Sequence, residues 1–430
     1  MRNSDSPRSP RWLDRLAEVN IVGFIISAYL LETSATSTYF QVAQVVLVVS
    51  AFCIVVHSAR FTSGLLVPWA GALWVTASVA VLVNQAEFTP EFRTFAVNCV
   101  LAVALLQLLS SERRVVLGLT AFGIGGLLAA VSLLVQIDPS VPMTSDVSQA
   151  WSLRLGSSLP GANPNIAGMY LAIAFGAALS RALAPSMRRV LRLCWLSASA
   201  VILLAASLTG SRKVMIYCVV AAVVLVAHFS LRLLPILVAA AAAVAWALLN
   251  IEWLYVIVGH RLVGQGDVTE SDALRVQALE DSIDAFLAHP EGTGWGSSQQ
   301  FLSVLNYTHS NYLEVLVSVG LVGLVAYYLI HLRILSGVRR MGAVVGPAIS
   351  ASVIAGLALD VVQVTYLYKA PLLMLTLGAA AFRLAPRKTP SVPDRRTTRR
   401  GGGHEPALGR APSRAGVVTG KRTGVENVHR

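Results

Sequence analysis

Cysteine is scarce: the 430 residues contain four (Cys53, Cys99, Cys194 and Cys218), all inside apolar runs and none at metal-ligand spacing. This predicts neither a disulfide framework nor a zinc site, and the four read as small core residues. Charge is scarce as well. Only 13% of residues are Asp, Glu, Lys or Arg, 55% are hydrophobic, and mean hydropathy is +0.66. That composition belongs to an integral membrane protein rather than a soluble core. Acidic residues are the rarer sign, 22 against 34 basic, giving a net charge of +12. The chain also lacks a glycine-rich nucleotide motif, a convincing internal repeat and a small-residue cleavage site after its first basic stretch (Arg2, Arg8, Arg11, Arg15). The first apolar run is therefore expected to stay as an uncleaved helix.

What is present is a succession of apolar runs. A membrane crossing needs about 20 mostly apolar residues. Runs of that kind fall near 17–32, 39–58, 65–83, 93–110, 115–136, 162–180, 190–208, 213–229, 232–250, 311–331, 343–364 and 369–385. The expectation is an all-α integral membrane protein with about twelve transmembrane helices. Residues 1–16 are then a cytoplasmic N-terminus, 17–136 the first five spans, and 137–161 an outer loop. Residues 162–250 hold spans six to nine, 251–310 a large, partly helical outer loop, 311–385 spans ten to twelve, and 386–430 a basic cytoplasmic tail. The tail is rich in Arg, Gly, Pro and Thr and is expected to be disordered.

The charges test this count. With both termini in the cytoplasm, 27 of the 34 basic residues fall on the inner side, as the positive-inside bias requires. Losing one span would invert everything downstream. The inner cations suit anionic lipid headgroups, so no nucleic-acid partner is expected. Seven cations remain outside: Arg93, Arg154, Arg212, Lys213, Arg261, Arg275 and Lys369. An anionic substrate handled at the outer face explains them.

Several outer constellations can carry chemistry. Asn163-Pro164-Asn165 initiates a turn at the sixth span. Asn165 is a candidate cap, and both amides can hold sugar hydroxyls. Thr209-Gly210-Ser211-Arg212-Lys213 is a tight hairpin with two cations, and Arg is suited to bidentate phosphate recognition. Thr269-Glu-Ser-Asp272 resembles a capping box. The helix it opens carries Leu279, Ile283, Phe286 and Leu287 on one stripe and stops at His289-Pro290. Arg275 on that helix, by spacing alone, reads as a solvated charge paired with Asp272 or Glu280. Gly292, Gly294 and Gly296 alternate and permit a close-approaching backbone, with Trp295 among them suited to an interface or a sugar face. His309-Ser-Asn311-Tyr-Leu-Glu314 opens the tenth span. An imidazole there can act as a general base, and a carboxylate one turn into a span must be paired or useful. Gly320 and Gly323 allow close helix packing. Asp360 and Gln363 end the eleventh span near Lys369, where an ion pair is expected.

In this order, these motifs resemble the O-antigen ligase/polymerase family of bacterial envelope glycosyltransferases. The resemblance runs from about residue 155 to 330. It implies a GT-C-like helical fold and a donor glycan on a polyprenyl diphosphate, usually undecaprenyl diphosphate. It further implies metal-independent, inverting transfer at the outer face to a glycan, lipid-core or protein hydroxyl, with no cofactor. His309 corresponds to the acceptor's base, and Arg212 and Arg275 to the diphosphate ligands. The resemblance thus promotes Arg275 from solvated charge to site residue. Asn163, Asn165, Lys213, Asn311, Glu314, Arg154 and Arg261 are the expected substrate contacts. Ligase and polymerase stay open, as do a lipid or solute transporter and a non-catalytic assembly scaffold.

Overall fold

A computed structural model of the chain describes residues 11–33, 37–58, 61–62, 64–84, 89–136, 163–229, 270–303 and 308–386, with isolated positions between 231 and 251. The described elements are helical. In chain order they are α1 (Arg11–Thr33), α2 (Ser37–Ser58), α3 (Leu66–Val83), α4 (Pro90–Leu108), α5 (Glu112–Val135) and α6 (Pro164–Leu183). Then come α7 (Arg189–Leu208), α8 (Arg212–Phe229), α9 (Glu270–Ala288), α10 (Asn311–Gly337), α11 (Val345–Asp360) and α12 (Lys369–Leu384). Short 3-10 turns lie at Ser297–Gln300 and Val338–Arg340. Contacts divide the chain after Pro386, and the second unit, 387–430, lies outside the described residues.

Each expected apolar run coincides with a described helix apart from 232–250, most of which lies outside the described residues. Seven of these helices, α3 to α8 and α10, are long and apolar enough to cross a membrane; the apolar parts of α2 (Gln41–His57) and α11 are shorter. Helix ends follow local chemistry. The Thr89 hydroxyl accepts from Phe92 N with Pro90 in the first turn, and Ser111 caps α5 through Arg114 N. α6 is apolar on all sides, and 78% of its membrane-length window is buried, the highest share among the seven. A helix of that kind belongs at a bundle centre; here it contacts α5, α7, α8 and α11. Outward positions stay apolar, with Leu321, Val322, Val325, Leu329 and Leu332 of α10 exposed, as in a lipid-facing surface.

The two ends of the bundle are tied by different contacts. At one end Arg114 pairs with Asp14 at 2.8 Å and Arg113 with Glu18 at 3.1 Å, joining the starts of α1 and α5. At the other, the starts of α4, α6, α8, α10 and α12 gather around the 289–303 segment. Thr89 Oγ1 donates to Trp295 O, Lys213 Nζ lies 3.4 Å from Gln363 Oε1, and Lys369 N donates to the Tyr170 hydroxyl at 3.1 Å. The starts of α4, α6, α8, α10 and α12 therefore lie where the candidate site is.

α9 departs from the sequence expectation. It ends at Ala288, before His289-Pro290 as read, but its buried face is Ala278, Ser282 and Ala285. Leu279, Ile283 and Leu287 are exposed (42%, 44% and 69%). The small residues are the buried ones, and α9 packs on α10, in keeping with the preference for small residues where helices approach closely.

Candidate functional site

The site is built around a break in α10. Gly320 has φ 66° and ψ −176°, outside the helical region, so the helix ladder stops there. The carbonyls of Val317 and Ser318 are taken up by the loop instead: Thr293 N donates to Val317 O and Gly294 N to Ser318 O, both at 2.8 Å. Thr293 Oγ1 adds a 3.0 Å bond to Val317 O. In an apolar surrounding an unpaired carbonyl is costly, so a broken spanning helix persists only where such partners exist. The sequence reading assigned Gly320 to helix packing. Its role is the break, and Gly292 (φ 93°) is the residue that fits against it.

The same loop carries Trp295, read from the sequence as suited to an interface or a sugar face. It is 1% exposed and stacks with Tyr366 (4.4 Å) and Phe95 (4.7 Å), so it anchors the loop in the bundle. The alternating glycines explain the inversion: with φ of 93°, 99° and 77° at Gly292, Gly294 and Gly296, the chain folds back and drives the indole inward.

His309 sits in the turn just before α10, with φ 58°. Left-handed backbone at a residue other than glycine costs about 1–2 kcal/mol and is held only by surrounding structure. Glu314, 2% exposed, supplies part of that hold: it accepts from Ser298 Oγ at 2.7 Å and from Thr308 N at 3.3 Å. Thr308 Oγ1 in turn donates to Ser310 O at 2.7 Å. The carboxylate thus ties the loop's 3-10 turn to the turn bearing His309.

Asn311 completes the hold. Its Oδ1 accepts from Thr365 N (2.9 Å) and Tyr366 N (3.1 Å); its Nδ2 donates to the Tyr328 hydroxyl (3.0 Å) and Asp360 Oδ2 (3.3 Å). The side chain is fully buried and both donors and the acceptor are engaged by protein, which leaves no face for a ligand. Asn311 thus bridges the start of α10 to Asp360 and to the 365–366 turn. Asp360 is likewise held by Thr365, Tyr328 and Asn311 rather than organised as the ion pair read from the sequence. Asn311→Asp, nearly isosteric, removes both amide donors and faces Asp360 with a second acid. We expect a loss of about 2–3 kcal/mol, read as a lower thermal midpoint in detergent, with transfer falling in parallel. An unchanged midpoint would overturn the bridging role.

The cations converge on His309. Burial first, then the fields of Lys213 and Arg275, push the imidazole down from 6.5 to about 4. Lys213 on α8 and Arg275 on α9 are therefore both within electrostatic reach of His309, although 62 residues separate them in sequence. Arg212, exposed in the first turn of α8, stands one residue from Lys213. The tight hairpin that presents both is formed as read: Gly210 (φ 61°) turns the chain and Gly210 N donates to Ser207 O at 2.9 Å.

Beside this cluster lies a cleft of about 180 Å³ whose lining includes Glu91, Asn163, Asn165, Gln299, Glu314, Gln363 and Tyr366. Asn163, not Asn165, caps α6: its Oδ1 accepts from Asn165 N at 2.9 Å. Gln363 joins the two regions, since it lines the cleft and bonds Lys213. Glu91, Gln299 and Tyr366 were not singled out in the sequence; they lie far apart in the chain, and only folding brings them together. Arg154 and Arg261 lie outside the described residues.

Residues 197–328 match the family model described as O-antigen ligase. No curated protein matches the chain. The matched segment holds Arg212, Lys213, Arg275, His309, Asn311, Glu314 and both halves of the loop–helix break, whereas Asn163 and Asn165 precede it. Over residues 197–328, from within α7 to within α10, this helical membrane chain is similar to the family described as O-antigen ligase.

Proposed function

We propose that the chain is a membrane glycosyltransferase that moves a glycan from a polyprenyl diphosphate to an acceptor hydroxyl, in cell-surface polysaccharide synthesis. The observation that carries the reading is the polar cleft lined by Asn163, Asn165 and Gln363, to which Lys213 is tied at 3.4 Å through Gln363, with Lys213 and Arg275 bearing on the His309 imidazole. His309 takes the proton of the acceptor hydroxyl. The acceptor oxygen attacks the anomeric carbon, and the bond to the diphosphate breaks with inversion. The leaving diphosphate keeps the electron pair, and its charge is met by Arg275, Arg212 and Lys213 without a metal. Asn163 and Asn165 orient sugar hydroxyls; Arg154 and Arg261 are secondary contacts to the donor. Glu314 and Asn311 position the His309 turn. In this reading about twelve spans place both termini in the cytoplasm and the site on the outer face of the bacterial inner membrane, with 251–310 as the catalytic loop.

The low pKa of His309 serves the mechanism. At neutral pH the imidazole is unprotonated and able to accept a proton. Binding of the diphosphate offsets the cations and raises the basicity of His309 when the acceptor must be deprotonated.

The test is transfer from a synthetic polyprenyl-diphosphate glycan in vesicles, with Arg275→Gln as the probe. We expect kcat/KM to fall by about 10²–10³-fold. The acid limb of kcat/KM against pH, near 4 in the native protein, should move upward, because removing a neighbouring cation makes the imidazole easier to protonate. A limb that stays or moves down would sink the arrangement. Single-repeat glycans in a knockout would favour a polymerase; long lipid-linked chains left unattached would favour a ligase.

A further inference from the structure

Two regions of opposite character adjoin here. One carries Lys213, Arg275 and Arg212. The other, the cleft, presents the carboxylate of Glu91 from α4, with the buried Glu314 of α10 behind it, among the amides of Asn163, Asn165, Gln299 and Gln363. Carboxylates repel phosphate, so the diphosphate belongs to the first region. A ligand of the cleft must bring hydrogen-bond donors and no negative charge.

The cleft is a built feature. Gln299 Nε2 lies 3.4 Å from Glu91 Oε1. Gly296 lets this happen: a Cβ there would stand 2.6 Å from Glu91 Oε2. Tyr366, 3% exposed and lining the cleft, has a hydroxyl with no hydrogen-bond partner, within the fields of Glu314 and Glu91. The volume, about 180 Å³, lies below the roughly 300 Å³ at which pockets for larger ligands begin, and so suits a single ring.

We propose that this cleft is a saccharide subsite for one neutral or amino sugar, and that Glu91 excludes uronic acids and other anionic sugars from it. The proposal rests on the glycan-transfer reading for the ligand being a sugar. Selectivity comes from repulsion: a carboxylate-bearing ring would place like charges against Glu91 in a half-enclosed site. The sugar is either the one attached to the donor's diphosphate or the one bearing the acceptor hydroxyl.

The test uses the full chain in lipid nanodiscs and three probes: a methyl hexoside, a methyl 2-amino-2-deoxyhexoside and a methyl hexuronide. Binding is read by saturation-transfer NMR with saturating inorganic pyrophosphate, which masks the cationic region. We expect the native protein to bind the hexuronide about tenfold more weakly than the hexoside, Glu91→Gln to remove that difference, and Glu91→Lys to favour the hexuronide over the amino sugar. Equal binding of all three by the native protein, no binding of any, or a ratio unmoved in both variants would overturn the proposal. The Gln variant keeps the shape of the native side chain, so loss of selectivity there is separable from misfolding. If a hexosyl diphosphate displaces the methyl hexoside where pyrophosphate does not, the cleft holds the donor's sugar; if it does not, the acceptor's. Failure of the transfer reading is distinguishable: selective binding without any transfer would sink the enzyme and leave the subsite standing.

Discussion

His309→Asn is expected to lower glycan transfer by about 10²–10⁴-fold while leaving an inserted, folded protein. Asparagine is chosen because it tolerates left-handed backbone, so the turn at φ 58° is kept while the base is removed. Alanine would mix two effects, loss of the base and strain in the turn. The interactions of Glu314 with Ser298 and Thr308 do not involve the imidazole and should survive. A second readout separates a titrating base from a merely structural ring. Burial and the neighbouring cations hold His309 near 4, below its unfolded 6.5, so the unfolded chain binds the extra proton more readily. The stability associated with the neutral imidazole is fully present above pH 6.5 and is lost as pH falls from there through about 4. The native protein should therefore lose thermal stability over that window, and His309→Asn should lack that component. Near-native transfer by an inserted His309→Asn protein would remove this residue from the mechanism.

The second large effect concerns the fold rather than the chemistry. Gly292→Ala should cost on the order of 4 kcal/mol and leave little inserted protein. A Cβ at 292 would lie 2.5 Å from Gly320 N, 2.7 Å from Ser318 O and 2.7 Å from Val319 C, all backbone atoms that cannot rotate away. The backbone there also has φ 93°, which alanine adopts poorly. Relief requires the loop to withdraw, and withdrawal breaks the bonds from Thr293 N and Gly294 N that satisfy Val317 and Ser318. Gly320→Ala should behave alike, since its Cβ would run into Pro290 O and Glu291 C. Gly294→Ala is the control. Its Cβ would meet a side-chain methyl of Val81 at 3.0 Å, which can shift, and Ser297 Oγ at an ordinary 4.0 Å, so the main cost is the positive φ, about 1–2 kcal/mol. Yield of inserted protein and thermal midpoint in detergent measure all three. Equal effects at 292 and 294 would mean that strain, not the clasp between loop and α10, decides stability.

Much of the helical frame could be read from the chain because membrane helices answer to local rules. An apolar run of sufficient length must satisfy its backbone internally, and basic residues flank it on one side. The hairpin at 209–213 was legible for the same reason: two apolar runs too long for one helix must turn, and Gly210 allows it. The α9 stripe was misread by a rule from soluble proteins. Periodicity finds the apolar face, but next to α10 the small face, Ala278, Ser282 and Ala285, is the one that fits.

The candidate site was legible in its residue types and opaque in its geometry. His309 could be named because an imidazole beside polar residues at a span boundary is chemically conspicuous. That Lys213 and Arg275 bear on it was not readable, because electrostatic proximity between α8 and α9 follows from packing. Asn311 and Glu314 were conspicuous in the sequence, but the partners that hold them were not readable there. A buried amide with its donors and acceptor engaged looks, in sequence, the same as one awaiting a ligand.

By itself, then, the sequence determined a multi-pass helical protein, the order of its motifs and the residue types at its site, because hydropathy, flanking charge and motif order are properties of contiguous chain. The tertiary structure alone decided the break at Gly320, the inward turn of Trp295 and the meeting of Glu91, Gln299 and Tyr366 beside the cations. Those depend on which backbones come within bonding distance, and that distance is set by packing among helices far apart in sequence.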